Sequence, residues 1–145
     1  MNKIRVLLAD NQLLFLQSLY ALLKAHSTLE VIGTVQNGNH CSDMIAELKP
    51  DILISDIELL KKSVFEIAIE TRKQSLPTKI IVFSKHQSEM YIKLSIKHGI
   101  HGFVSKKESI DEIVYAVQEV YRGDLCYSRV ISKAIIQSLM YDPVS

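Results

Sequence analysis

Apolar residues gather in five short runs rich in β-branched side chains: Ile4–Ala9, Leu29–Val35, Ile52–Ser55, Ile80–Ser84 and Gly102–Ser105. Stretches with a helical period of apolar positions separate them. Three of the runs, IRVLLA, DILIS and KIIVF, are almost continuously apolar and do not alternate. A strand with one wet face alternates; a strand covered on both faces does not, so the pattern predicts a parallel sheet between helical layers.

Helix signals fill the gaps. Ser63 with Glu66, and Ser109 with Glu112, have the spacing of capping boxes. Asn11 or Asp10 is placed to cap the first helix, whose apolar faces read as Leu14, Ser18, Leu22 and Phe15, Leu19, Leu23. Gly99 and Gly123 stand where helices should stop, and Pro50 and Pro77 come just before strands. The sum is a (βα)5 alternation within the first ~122 residues, which argues for a doubly wound α/β fold on a five-stranded parallel sheet. A further amphipathic helix is expected at residues 129–140, with Ile131, Ile135 and Leu139 on one face and Ala134 beside them.

Composition narrows the function without naming it. The chain has 145 residues, enough for one domain with a real core, and a formal net charge of +1. That balance gives no electrostatic reason for a nucleic-acid or membrane surface. Cys41 and Cys126 fit no metal spacing and read as free thiols in a reducing compartment. His40, His86, His98 and His101 also lack metal spacing. No apolar run approaches the ~20 residues of a membrane span, and the N-terminal run is too short for a signal peptide. A cytoplasmic location is expected.

In open parallel sheets, ligands bind at the carboxyl ends of the strands. Those ends hold Asp10 after the first strand, Asp56 after the third, Ser84 closing the fourth and Lys106 after the fifth. Each alone is an ordinary strand terminus; together they form a set. Two carboxylates, a hydroxyl and an ammonium suit phosphoryl transfer to a carboxylate. Mg2+ needs only one or two carboxylates beside phosphate oxygens, and Ser84 and Lys106 can take the remaining oxygens. Asp56, on the third and central strand, is the expected nucleophile, and Asp10 the metal ligand.

At this point LLADNQLLF, KPDILISDIEL, KIIVFSKH and GIHGFVSKKES, in that order, resemble the receiver domain of two-component response regulators. The resemblance covers residues 3 to about 123. LADNQLLF and the later GDLCYS are most similar to receivers that precede a LuxR-type helix-turn-helix. It implies a flavodoxin-like fold and a phosphoryl group accepted on Asp56 from a sensor histidine kinase. It also implies Mg2+ held by Asp10, Asp56 and the backbone carbonyl of Glu58, with Asn11 a weak or water-mediated ligand. Ser84 and Phe103 are the implied switch, acting on a surface of helix four, strand five and helix five that binds a partner or a second copy. The implied organisation is a receiver at residues 1–123 and a linker with an amphipathic helix at 124–145. That helix is open to three roles: packing on the receiver, leading to a DNA-binding output domain absent from this chain, or joining a homodimer.

Four positions depart from the family pattern. Asn11 replaces a second acid, Leu60 a proline, Val64 a common glycine and Lys85 a small residue. Unit charges ~4 Å apart interact by roughly 4 kcal/mol at an effective dielectric of ~20. A third of that corresponds to a tenfold loss of Mg2+ affinity, by the usual ~1.4 kcal/mol per decade. The loop ELLKKSV is expected to take another path, and Lys85 either obstructs donors or adds positive charge. These changes keep a phosphorylation-independent pseudo-receiver as the alternative. An aspartate-nucleophile phosphatase is a weaker one, resting on Glu58 two residues after Asp56. A dinucleotide-binding fold lacks its glycine-rich turn.

Overall fold

The computed structural model describes residues 2–141. Strands and helices alternate as β1 (Ile4–Ala9), α1 (Leu13–Lys24), β2 (Leu29–Val35), α2 (Gly38–Leu48), β3 (Ile52–Ser55), α3 (Val64–Lys73), β4 (Lys79–Ser84), α4 (Glu89–Lys97), β5 (Gly102–Ser105) and α5 (Ile110–Tyr121). A short β6 (Cys126–Tyr127) and α6 (Arg129–Met140) follow. The strands form one parallel sheet in the order β2-β1-β3-β4-β5-β6.

The strand period of two divides the core. On β1, Val6 and Leu8 face α1 and α5, in a layer with Ile54, Phe83, Val104 and Val117. Leu7 and Ala9 face the other way, with Leu53, Val82 and Phe103, toward α2, α3, α4 and α6. Both faces are covered, which is why the inner strands need no polar positions. Reversal of strand order beside β1 leaves a crevice at the carboxyl ends of β1 and β3.

The expected five-stranded sheet is corrected to six. After Gly123 the chain runs along the edge of β5. There Cys126 N–H donates to His101 O and Ser128 N–H to Phe103 O, both at 2.9 Å. Those carbonyls would otherwise form an open sheet edge. The two-residue strand is too short to announce itself by any pattern.

Helix boundaries follow local chemistry with two exceptions. Ser63 accepts from Glu66 N–H, and Gly99 and Gly123 adopt left-handed backbone (φ +69° and +104°) just past α4 and α5. Ser109, however, makes no side-chain cap. The first helix is not capped by Asp10 or Asn11 either: Gln12 is its N-cap, and the Asp10 carboxylate accepts from the Gln12 N–H. Nor is the Leu14–Ser18–Leu22 face buried; Leu16, Leu19 and Leu23 are. That helix is apolar nearly all round and has only one core to meet. On α6 Ile131 is fully buried and Ile135 partly, while Leu139 is exposed.

Candidate functional site

Parallel pairing of β1 with β3, and of β3 with β4 and β4 with β5, brings the strand ends level. Asp10, Asp56 and Lys106 each follow the last residue of a strand and so meet above the sheet. Lys106 Nζ lies 2.7 Å from Asp10 Oδ2 and 2.9 Å from Asp56 Oδ2. The other carboxylate oxygens accept backbone N–H groups, Asp10 Oδ1 from Gln12 at 2.9 Å and Asp56 Oδ1 from Ile57 at 2.7 Å. Asp10 is only 2% exposed. A charge so far from water persists only with a partner, and Lys106 is that partner.

The ammonium has a third contact. Lys106 Nζ sits 3.9 Å from the centre of the Phe15 ring, whose other neighbour is Phe83 at 5.8 Å between centroids. Such a cation–π contact contributes about 0.5–1 kcal/mol and keeps the amine from swinging to solvent. Nothing in the sequence marks Phe15 for this, since its position reads as helix core.

Two carboxylates against one ammonium leave one uncompensated negative charge. Hard oxygen donors with a net negative charge fit Mg2+, which keeps several waters and tolerates few protein ligands. Among the described residues no group of three or more acids, histidines or cysteines gathers to hold a metal. The donors therefore fit a magnesium ion that is largely water-ligated and fit no dedicated protein cage.

The remaining sequence candidates lie around this centre. Ser84 is fully buried at the end of β4; its Oγ accepts from His86 N–H at 3.0 Å, and its carbonyl accepts from Lys106 N–H at 2.9 Å. Asn11 is exposed, and its backbone carbonyl accepts from Gln36 Nε2 at 3.1 Å. Glu58 is exposed and pairs by backbone with Ser63. Lys85 is exposed where the β4–α4 loop begins. Phe103 is fully buried against the Tyr127 ring, 6.3 Å between centroids. Asp10, Asp56 and Lys106 are thus in direct contact, Ser84 borders them, and Phe103 lies in the core beneath.

Leu60 explains itself through its backbone. Its N–H donates to Gln36 O at 3.2 Å and its carbonyl accepts from Gly38 N–H at 2.7 Å, a bridge a proline could complete only by half. The next turn is closed by Leu59 N–H to Lys62 O, with Lys61 at φ +77°. Lys62 then folds back onto Glu70 at 2.7 Å and Ser42 at 3.2 Å. That ammonium holds the Glu70 carboxyl below its ordinary value. The loop after Asp56 is therefore stitched to α2 and α3 by hydrogen bonds where the family pattern uses a rigid ring. Lys62 also approaches Cys41, whose thiol burial pushes up to about 12.

Comparison with known proteins gives the family. The response regulator receiver domain matches residues 6–118. The transcriptional regulatory protein MctR of Rhizobium johnstonii is 35% identical over 135 residues, 92% of this chain and 63% of MctR. The transcriptional regulatory protein YvfU of Bacillus subtilis is 30% identical over 139 residues, 96% of this chain and 68% of its own length. The chain thus spans just under two-thirds of MctR. Among solved structures, the signal receiver domain of NarL from Mycobacterium tuberculosis superposes with a TM-score of 0.81 at 25% identity, over 85% of this chain and 99% of that one. A LuxR-family response regulator from Aurantimonas sp. shares the fold with a TM-score of 0.90 at 20% identity, over 96% of this chain and 99% of that one. This chain belongs to the response regulator receiver domain family.

Proposed function

We propose that this chain is a working receiver that accepts a phosphoryl group on Asp56 from a sensor histidine kinase in the cytoplasm. The observation that carries the reading is the Lys106 ammonium set between Asp10 and Asp56, at 2.7 and 2.9 Å. In the step itself a carboxylate oxygen of Asp56 attacks phosphorus. The bond to the donor breaks with its electron pair leaving on the donor, and an acyl phosphate remains. Lys106 holds the Asp56 oxygen in place beforehand and takes up phosphoryl oxygens afterward. The Ser84 hydroxyl, on the residue just before the exposed Lys85, donates to another of them. Asp10, Asp56 and the Glu58 carbonyl would hold Mg2+, with Asn11 a weak or water-mediated ligand. The ion supplies charge neutralisation for the transferred group. The chain turns over no substrate of its own and acts as a signalling switch.

Phosphorylation would change the packing of Ser84 and Phe103 and, through them, the face formed by α4, β5 and α5. The likeness to transcriptional regulators supports an output of DNA binding through a domain beyond these residues, with a homodimer as one route. A pseudo-receiver that binds partners unphosphorylated is the second reading. The substitutions at Asn11, Leu60 and Lys85 favour it.

Intact mass after incubation with a small phosphodonor, with and without Mg2+, separates the two. One Mg2+-dependent phosphoryl adduct, lost in Asp56→Asn, is the expected result. No adduct from either a small donor or a histidine kinase would leave the pseudo-receiver.

A further inference from the structure

The segment after α5 is tied to the loop that carries Lys106. Glu108, two residues beyond Lys106, supplies the tie. Its Oε2 accepts from Ser105 N–H at 2.8 Å and from the Ser128 hydroxyl at 2.6 Å; its Oε1 accepts from Val130 N–H at 3.4 Å. One carboxylate therefore touches the last residue of β5 and the first turn of α6 together. A carboxylate accepting several N–H and O–H groups is a strong, directional junction, stronger than neutral pairs of the same geometry.

The loop between these contacts is tight. Lys106 N–H donates to Ser84 O, Lys107 N–H to Ser105 Oγ and Glu108 N–H to Ser105 O, at 2.9, 3.1 and 3.0 Å. A turn closed this way moves as a unit, so a displacement at Lys106 is felt at Glu108. On the far side, β6 and α6 cover the switch aromatic. The Tyr127 ring lies against Phe103, and its hydroxyl donates to Ile100 O at 2.9 Å. Ile131 of α6 is fully buried in the same core layer as Phe103 and Ile92 of α4. Any outward repacking of Phe103 has to displace this cover.

We infer that Glu108 is a latch coupling the phosphorylation site to the docking of α6. With Lys106 bridging Asp10 and Asp56, the latch is closed and α6 lies on α4 and β5. With Lys106 drawn to phosphoryl oxygens, the turn shifts, the carboxylate parts from Ser128 and Val130, and α6 loosens. The inference rests on the phosphoacceptor reading above. Coupling of this kind is reciprocal: whatever factor site occupancy takes from α6 docking, loss of α6 docking returns to site affinity.

The test is hydrogen exchange of the α6 amides in the 145-residue chain, with Mg2+ present, with and without beryllofluoride as a phosphoryl mimic. Without the mimic, Glu108→Gln should speed exchange in α6 about tenfold while α2 and α3 stay protected. Ser128→Ala, which removes one of the three bonds, should do so by a smaller factor. Adding the mimic to the unaltered chain should speed α6 exchange, and Glu108→Gln should bind the mimic more tightly by the factor it loosened α6. Unchanged α6 exchange in either the variant or the liganded chain overturns the latch. Failure of the mimic to give a bound fluorine resonance overturns the phosphoacceptor reading and the coupling with it. The variant's exchange alone then still decides whether Glu108 anchors α6.

Discussion

Both ends of the sheet gather cations, but against different partners. At the carboxyl ends, Lys106 lies between two carboxylates, one nearly sealed from water. At the amino ends, the cations are Arg72 and Lys79, in the wall of a cleft of about 280 Å3 that they share with two imidazoles, His98 and His101, and that has no carboxylate in its wall. There the charges meet carbonyl oxygens: Arg72 donates to His98 O at the end of α4, and Lys79 Nζ to Val120 O at 3.2 Å. Cations beside the carbonyl ends of helices complement the helix dipole and hold backbone to backbone. A cation between two acids does something else. It stores a removable counter-charge beside the proposed nucleophile and leaves the site one positive charge short of neutral.

Removing one ammonium from each end should have very different effects. Lys106→Met leaves two carboxylates at low exposure without their counter-ion and should cost about 3 kcal/mol. Lys79→Met loses one hydrogen bond to a carbonyl and should cost about 1 kcal/mol or less. Urea midpoints for the two variants measure the contrast. Millimolar Mg2+ should recover part of the Lys106→Met loss and none of the Lys79→Met loss. Equal midpoints would mean that Lys106 is as dispensable as a surface lysine.

The deficit of one charge can also be deepened. Asn11→Asp adds a second acid beside Asp10 and should tighten Mg2+ about tenfold, read by calorimetric titration. An unchanged affinity would show that position 11, exposed as it is, lies outside the cation's reach. A smaller effect is expected at the loop after Asp56. Leu60→Pro removes the N–H that Gln36 O accepts and should lower stability by about 1 kcal/mol, in spite of restoring the family's residue. A neutral or stabilising outcome would mean that the loop is held by Lys62 and Glu70 alone.

What could be read from the chain follows the range of the forces involved. Continuous apolar runs mark doubly covered strands, and β1, β2, β3 and β5 begin and end where the runs do. Parallel alignment then gathers Asp10, Asp56 and Lys106 without further information. The failures are all tertiary. Leu14 and Leu22 look as buried as Leu16 and Leu23, because a helix apolar all round does not say which stripe meets the sheet. Cys126 and Tyr127 become a strand only because β5 would otherwise have an open edge. Glu108 reaches Ser128 and Val130 across twenty and twenty-two residues, a pairing no local spacing encodes. Leu60 reads as a missing proline, whereas its N–H is part of a bridge to Gln36.

The smallest effect belongs to the cleft at the amino ends. His101 accepts from Ile80 N–H through Nδ1 at 3.1 Å and is partly buried. Burial first, then the charges of Lys79 and Arg72, hold its pKa below the ordinary 6.5. The unfolded chain therefore takes up this proton before the folded one. The resulting stability is complete above pH 6.5 and is lost as pH falls through the lowered value. Glu70, also lowered but from 4.5, acts in a more acidic window, so the two contributions separate. His101→Gln should flatten the fall in urea midpoint just below pH 6.5 and leave the fall below pH 4.5 in place. If the variant loses stability between these values as the unaltered chain does, the cations of the cleft do not bear on His101. The contrast between the two ends would then rest on Lys106 alone.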